Sequence, residues 1–407
     1  MLSRRSFLAG SAALAMAPRV ARAEGKDLKF IFVVVFRGWD VTRVYAPEFD
    51  NPIVSMEVDA EPATAGGITF VDHGYRPVVR DFFDTWHDRA VIVNGISVPS
   101  LGHVECLHWS LTGTNATTAA DWPAQIAAAA ASRYPLPHVV VNGPNFAGSY
   151  GGYVTRVGST AWVEQVLDGS ILTRADDAPR PFSSGAQSAM DSAVATFSSA
   201  AAARAAEERE IALYEAHKSS LERLAVMKTS AADLAWPEDA TLPSQAGLAV
   251  DLLRLGLTRV VTLAHDYVEW DSHADNDELQ SSMFADLYAG LADLMDRLVV
   301  TPGTNGGTLA DETVVVVLSE MGRTPQLNGG AGKDHWPHTS ALILGPNVVG
   351  DRVIGGFDAL FTGESVDLAS GDITESGETI TTKTLGATLL ALADIASEDA
   401  PIGAVLG

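Results

Sequence analysis

Six runs of β-branched and aliphatic residues recur along the chain without alternation of polar and apolar positions. They are Leu28 to Phe36 (LKFIFVVVF), Ala90 to Val93, Val139 to Val141, Arg259 to Ala264 (RVVTLA), Thr313 to Leu318 (TVVVVL) and Ala341 to Leu344. A strand reads this way when both of its faces are covered, as in a parallel sheet. Between the runs, apolar residues fall at helical spacing. Val78 to His87 aligns Phe82, Phe83 and Trp86, and Ser281 to Val299 aligns Phe284, Leu287, Leu291, Leu294 and Leu298. Asp121 to Ser132 opens on a capping aspartate with Pro123 in its first turn, a helix start. Ser244 to Leu255 and Thr382 to Ala396 are read as further helices. Strands alternating with helices of this length predict an α/β fold with a mostly parallel sheet between two helical layers. Residues 47–77 read as short strands and loops, and residues 144–186, rich in Gly, Ser and Pro, give no assignment. Residues 188–230 contain no glycine and read as one or two long surface helices, a helical insertion. No internal repeat is found.

Composition narrows the class. Of 407 residues, 47% are hydrophobic and 19% charged, enough for a large core and unlike a disordered chain. A net charge of −24 argues against a nucleic-acid partner, which needs a basic patch, and against an anionic membrane surface. Cys106, the lone cysteine, leaves the fold without an intrachain disulfide. The first residues form a processing segment. Ser3-Arg4-Arg5-Ser6-Phe7-Leu8 is a twin-arginine pattern, an apolar stretch runs to Ala17, and Ala21-Arg22-Ala23 offers a cleavage site. Residues 1–23 are thus read as a twin-arginine signal peptide. The apolar stretch is too short to anchor the chain, and no other run approaches a membrane helix. The expectation is a bacterial protein exported already folded, periplasmic or secreted, with its metal acquired before export.

Chemistry gathers where these strands end. In open α/β sheets ligands sit at the carboxyl ends of the strands. The first strand leads to Arg37-Gly38-Trp39-Asp40, and the second to His103, Glu105 and His108. The RVVTLA strand leads to Asp271 and His273, and TVVVVL to Ser319, Glu320 and Arg323, followed by Asp334, His335 and His338. Mixed carboxylate and imidazole sets suit zinc, manganese or iron, whereas calcium prefers oxygen alone. Each motif has a plainer reading: Asp271-x-His273 as a satisfied loop pair, and Asp334, His335 and His338 as a loop fastener. Their agreement at four strand ends favours a metal site. Cys106 reads as a small buried hydrophobe. His73, His87, His138 and His217 fall outside the pattern and read as structural or exposed.

These segments together resemble the DUF1501 family: the twin-arginine leader, a strand into R-G-W-D, H-V-E…W-S-L-T-G, E-W-D-S-H-A-D-N, V-V-V-L-S-E-M-G-R-T-P and G-K-D-H-W-P. The resemblance covers nearly all of the chain after the leader. It implies a three-layer αβα sandwich of the alkaline phosphatase/sulfatase-like superfamily and a two-metal hydrolase of phosphate or sulfate esters. Residue by residue, it implies that Asp40 is the first-strand metal aspartate. Asp271 and His273 resemble the aspartate and histidine of the first metal site, and His335 or His338 the late histidine. Glu320 stands where the superfamily's S-D-H-G places an aspartate, but Met321 replaces that motif's histidine. Leu111-Thr112-Gly113 resembles the sulfatase L-T-G, yet no C-x-P-S-R precedes it, which disfavours a formylglycine enzyme.

Asp40, His103, Asp271, His273, Glu320, His335 and His338 are therefore the candidate ligands for one or two divalent ions, zinc or manganese. His103, Glu105 and Arg323 are the candidate catalytic residues, Arg323 steadying an anionic group with Arg37 beside it. The reaction expected is hydrolysis of a small anionic phosphate, sulfate or related ester by a metal-activated water. The alternative is a non-catalytic exported binding or assembly protein that keeps the fold and one metal.

Overall fold

The computed structural model describes residues 27–158 and 183–407, so the leader at residues 1–23 lies outside the described residues. The central sheet is built from β1 (Lys29–Val35), β4 (Ala90–Ser97), β5 (His138–Val140), β6 (Val154–Arg156), β7 (Val260–His265), β8 (Thr313–Ser319), β11 (His338–Leu344) and β12 (Arg352–Ile354). Outside it, β2 (Glu61–Ala65) and β3 (Ile68–Asp72) form a hairpin, and β9 (Gly322–Arg323) pairs with β10 (His335–Trp336). The sheet order is β12-β4-β11-β8-β1-β7-β5-β6. Every ladder is parallel except the two made by β11, which runs antiparallel to β4 and to β8.

The unbroken apolar runs have the expected cause. Along β1, Ile31, Val33 and Val35 face one core while Phe30, Phe32 and Val34 face the other. In β8, Val315 and Val317 face the first core, and Val314, Val316 and Leu318 the second. Helices α1 (Pro77–Trp86), α6 (Leu242–Arg254) and α7 (Asn276–Val300) close the first core through Phe82, Leu252 and Phe284. Helices α2 (His103–Thr112), α3 (Trp122–Ala128) and α8 (Thr382–Leu392) close the second through Leu111, Ile126 and Leu389. The result is a mostly parallel sheet with helices on both sides. Within the segment read as a helical insertion, α4 (Ser184–Ala202) and α5 (Glu208–Ser230) follow one another. Among the described residues no helix is long and apolar enough to cross a membrane.

Two features of this topology place the site. β1, β4, β7 and β8 run in one direction, so the segments following them share one edge. β11 follows β8 through the β9/β10 turn with no helix between them, so it returns antiparallel. Its amino-terminal end therefore lies at the same edge as the carboxyl ends of its neighbours, with His338 opposite Ser97. The short β9/β10 ladder sets His335 opposite Arg323.

Candidate metal centre at the carboxyl edge of the sheet

Three imidazoles converge on one carboxylate oxygen. Nε2 of His103, His273 and His335 lies 3.4, 3.1 and 3.4 Å from Oδ1 of Asp271. His273 Nε2 and His335 Nε2 are 3.1 Å apart. His103, Asp271 and His335 offer ligand atoms all within 4.8 Å of one another. The second nitrogen of each ring is engaged elsewhere. His103 Nδ1 lies 2.8 Å from Glu320 Oε1, His273 Nδ1 2.9 Å from Asp334 Oδ1, and His335 Nδ1 2.7 Å from the Leu101 carbonyl. A carbonyl only accepts, so His335 donates from Nδ1 to Leu101, and its Nε2 is the atom that faces Asp271. Carboxylates on Nδ1 favour the same tautomer for His103 and His273. His103 Nε2 is buried without a hydrogen-bond partner, a cost unless something binds there. Ligating histidines have this arrangement, Nδ1–H tied to an oxygen and Nε2 free for the ion. The donor set of imidazoles and one carboxylate fits zinc or another borderline divalent ion.

The carboxylate at the centre is held in its ionised form. Burial opposes ionisation of Asp271, but the Arg323 hydrogen bond and charge, with His103 and His273, hold its carboxyl down at about 2. The hydrogen bond to Glu320 raises the His103 pKa against its partial burial.

Glu320 supports the centre from below. It is fully buried and accepts from the Arg37 and Gly38 amides at 2.8 and 3.2 Å and from the Ser319 hydroxyl at 3.0 Å, besides His103. A carboxylate so occupied orients a ligand and has little capacity left to be one. Both amides point inward because Arg37 and Gly38 have φ values of 94° and 82°. A Cβ on Gly38 would also lie 2.9 Å from Met321 Cγ, so glycine is required there.

The other expected site residues fall into distinct places. Arg323, expected to steady an anion, is buried with its donors spent inside the fold. Nε donates to the Gly38 carbonyl at 3.0 Å, Nη1 to the Lys333 carbonyl at 3.2 Å, and Nη2 to Trp270 O at 3.0 Å, to Asp271 Oδ1 at 2.7 Å and to the Arg37 carbonyl. It ties strand-end loops together instead. Arg37 is the guanidinium at the surface, 34% exposed and 3.2 Å from Asp266. His338 is not brought to the cluster: its Nδ1 accepts from the Gly363 amide at 3.1 Å, and burial lowers its pKa. Glu105 lies exposed in the first turn of α2, its carboxylate folded back toward Gly102. His108 bonds the Thr114 carbonyl at 2.7 Å and packs on Phe146. Cys106 packs with Val98 and Met321, and burial pushes its thiol up to about 12, the opposite of what a nucleophile needs. Asp40 is fully buried in a separate polar nest with Thr42, Asn276, Arg43 and Lys333.

Lys333, Asn276 and Gln280 were not singled out by the sequence. Gln280 accepts from the Asp40 amide at 2.8 Å and donates to the Trp270 carbonyl at 2.8 Å, joining the loops after β1 and β7. A glutamine on the polar side of an amphipathic helix, or a lysine in a glycine-rich loop, looks like surface until the chain is folded.

Comparison with known proteins places the chain at the level of family. The sequence matches the family described as "Protein of unknown function (DUF1501)" over residues 86–370. No curated protein matches the chain. Among solved structures, an alkaline phosphatase superfamily protein from Vibrio parahaemolyticus is similar at 9% identity and a TM-score of 0.41, covering 99% of this chain and 78% of that one. Phosphonoacetate hydrolase from Sinorhizobium meliloti, in complex with phosphonoformate, is similar at 12% identity and a TM-score of 0.32, over 75% of this chain and 58% of that one. The zinc complex of the C-terminal periplasmic domain of EptC from Escherichia coli is similar at 7% identity and a TM-score of 0.34, over 79% and 74%. These superpositions are loose, so the chemistry has to be read from the side chains themselves.

Proposed function

The chain belongs to the DUF1501 family, and from its site we propose that it is an exported metal-dependent hydrolase of a small phosphate, sulfate or related ester. The observation that carries this reading is the convergence of three Nδ1-tethered imidazoles on Asp271. His103, His273, His335 and Asp271 would hold a zinc or manganese ion. Glu320, Asp334 and the Leu101 carbonyl would fix the three rings. A divalent ion in such a set supplies Lewis acidity and lowers the pKa of a bound water toward neutrality. Arg37, on the rim, has the exposed forked donor suited to an anionic ester oxygen. Asp271, kept ionised by Arg323, stays in its ligand form across the neutral range. The twin-arginine leader supports export to the periplasm or beyond, with folding and metal loading completed first.

Aryl phosphate and aryl sulfate assays on protein loaded with zinc or manganese test the proposal. Turnover that His335→Ala abolishes in a folded protein is the expected result. Folded protein with no turnover under any divalent ion would favour a binding role instead. That second reading draws on one observation: Met321 is buried where the superfamily's motif carries a histidine, leaving the site without that ligand.

A further inference from the structure

We infer that Lys333 is the resident cation of the Asp40 pocket, which is therefore closed to a metal ion, so that any metal at this edge of the sheet is confined to the residues around Asp271. Asp40 stands at the tip of the first strand, where a second metal was expected. Both of its oxygens are already engaged. Oδ1 accepts from the Thr42 amide at 3.1 Å and the Thr42 hydroxyl at 2.7 Å. Oδ2 lies 2.9 Å from Lys333 Nζ, 2.8 Å from Asn276 Nδ2 and 3.4 Å from Arg43 Nη2. Lys333 Nζ also donates to Thr42 Oγ1 at 3.0 Å. The ammonium thus takes the carboxylate and hydroxyl oxygens that a metal in this pocket would need.

Two further facts keep it there. The charges already cancel: Lys333 and Arg43 face Asp40 and Asp277, the last 2.5 Å from Arg43 Nη2. A divalent ion would bring uncompensated positive charge into a pocket where Asp40, Arg43 and Lys333 have no exposed surface, which is strongly unfavourable. The lysine backbone is also pinned, its amide donating to the Ser272 carbonyl at 2.9 Å and its carbonyl accepting from Arg323 Nη1 at 3.2 Å. These backbone bonds hold the Lys333 Cα beside the Asp40 pocket, within reach of its ammonium. Lys333 is thus a positioning residue, joining the loop after β8 to the tip of β1 with no metal between them.

The inference concerns the Asp40 pocket and stands apart from the question of hydrolysis. Metal content is measured by elemental analysis in wild type and Asp40→Asn after loading with excess zinc or manganese and removal of free ion. Equal content in the two proteins is expected. Loss of one equivalent in Asp40→Asn would overturn the inference. No metal in either protein would leave the pocket closed as inferred and would remove the proposed function instead. Should Asp40→Asn fail to fold, anomalous diffraction from zinc-loaded wild-type crystals decides: a peak beside Asp40 overturns the inference, and its absence there supports it.

Discussion

At the residue scale, the proposed metal centre would depend on groups that do not touch the ion. Glu320 holds His103 through Nδ1 and is itself held by two amides and a hydroxyl. A carboxylate that holds a ligating imidazole by its other nitrogen typically contributes a factor of about 10–100 in metal affinity. Glu320→Gln is accordingly expected to weaken zinc binding by about that factor, read by competition with a chromogenic chelator; unchanged affinity would mean that His103 needs no such support. Gly38→Ala should cost roughly 1–2 kcal/mol from its left-handed backbone alone, since Gly38 has φ 82°. The contact with Met321 adds to this, and urea titration measures the sum. Sequence made the residue types legible but not their ranks. Asp271, His273 and His335 belong to one cluster, as their strand-end positions suggested. Glu320 and Arg323 lie at the same strand end, yet each reaches the cluster by a single bond, to His103 and to Asp271, and spends its other hydrogen bonds inside the fold. Which way a side chain turns depends on amides of β1's trailing loop, some 280 residues away in the chain.

At the scale of elements, six of the eight central strands were legible because burial on both faces leaves an apolar run that few helices share, whereas β6 and β12, three residues each and only partly buried, leave no such run. The direction of β11 was not, because a run of Ala341 to Leu344 carries no sign of whether its neighbours are parallel. That direction follows from the length of the link after β8. The short β5 presents a different test. His138 is buried, donates to or accepts from the Thr262 hydroxyl at 2.8 Å, and burial, aided by Arg156, lowers its pKa from 6.5 to about 3. Below pH 6.5 the unfolded chain takes up a proton that the folded chain refuses. This group's contribution is therefore present above that pH and falls as pH drops toward 3, by about 1.4 kcal/mol per pH unit. His138→Gln should remove that component, seen as a flatter stability difference in urea titrations across the window. Parallel pH dependence in wild type and variant would contradict the assignment.

At the scale of the whole molecule, stability is unevenly distributed. β1 and β8 sit at the centre of the sheet between two cores. In α5 only Met227 is buried, and Phe197 of α4 and Leu213 of α5 are 68% and 66% exposed. Elements with few buried contacts open at lower free energy than the core. Amides of α4 and α5 should therefore exchange with solvent well before those of β1 and β8 under native conditions, and uniform protection would argue against this division. Residues 188–230 were legible as helix from their alanines and charges, whereas their loose attachment was not, since attachment is a matter of packing and composition says little of it.

The molecule's central feature remains the carboxyl edge, where loops after β1, β4, β7 and β8 and the hairpin strand β10 bring three imidazoles to one aspartate. Elemental analysis of the purified, folded protein tests this most directly, with His103→Ala and His335→Ala alongside. A single zinc or manganese ion per chain is expected, lost from both variants while their circular dichroism stays native. A folded wild-type protein that holds no metal after loading, or variants that keep it, would contradict a metal centre at Asp271.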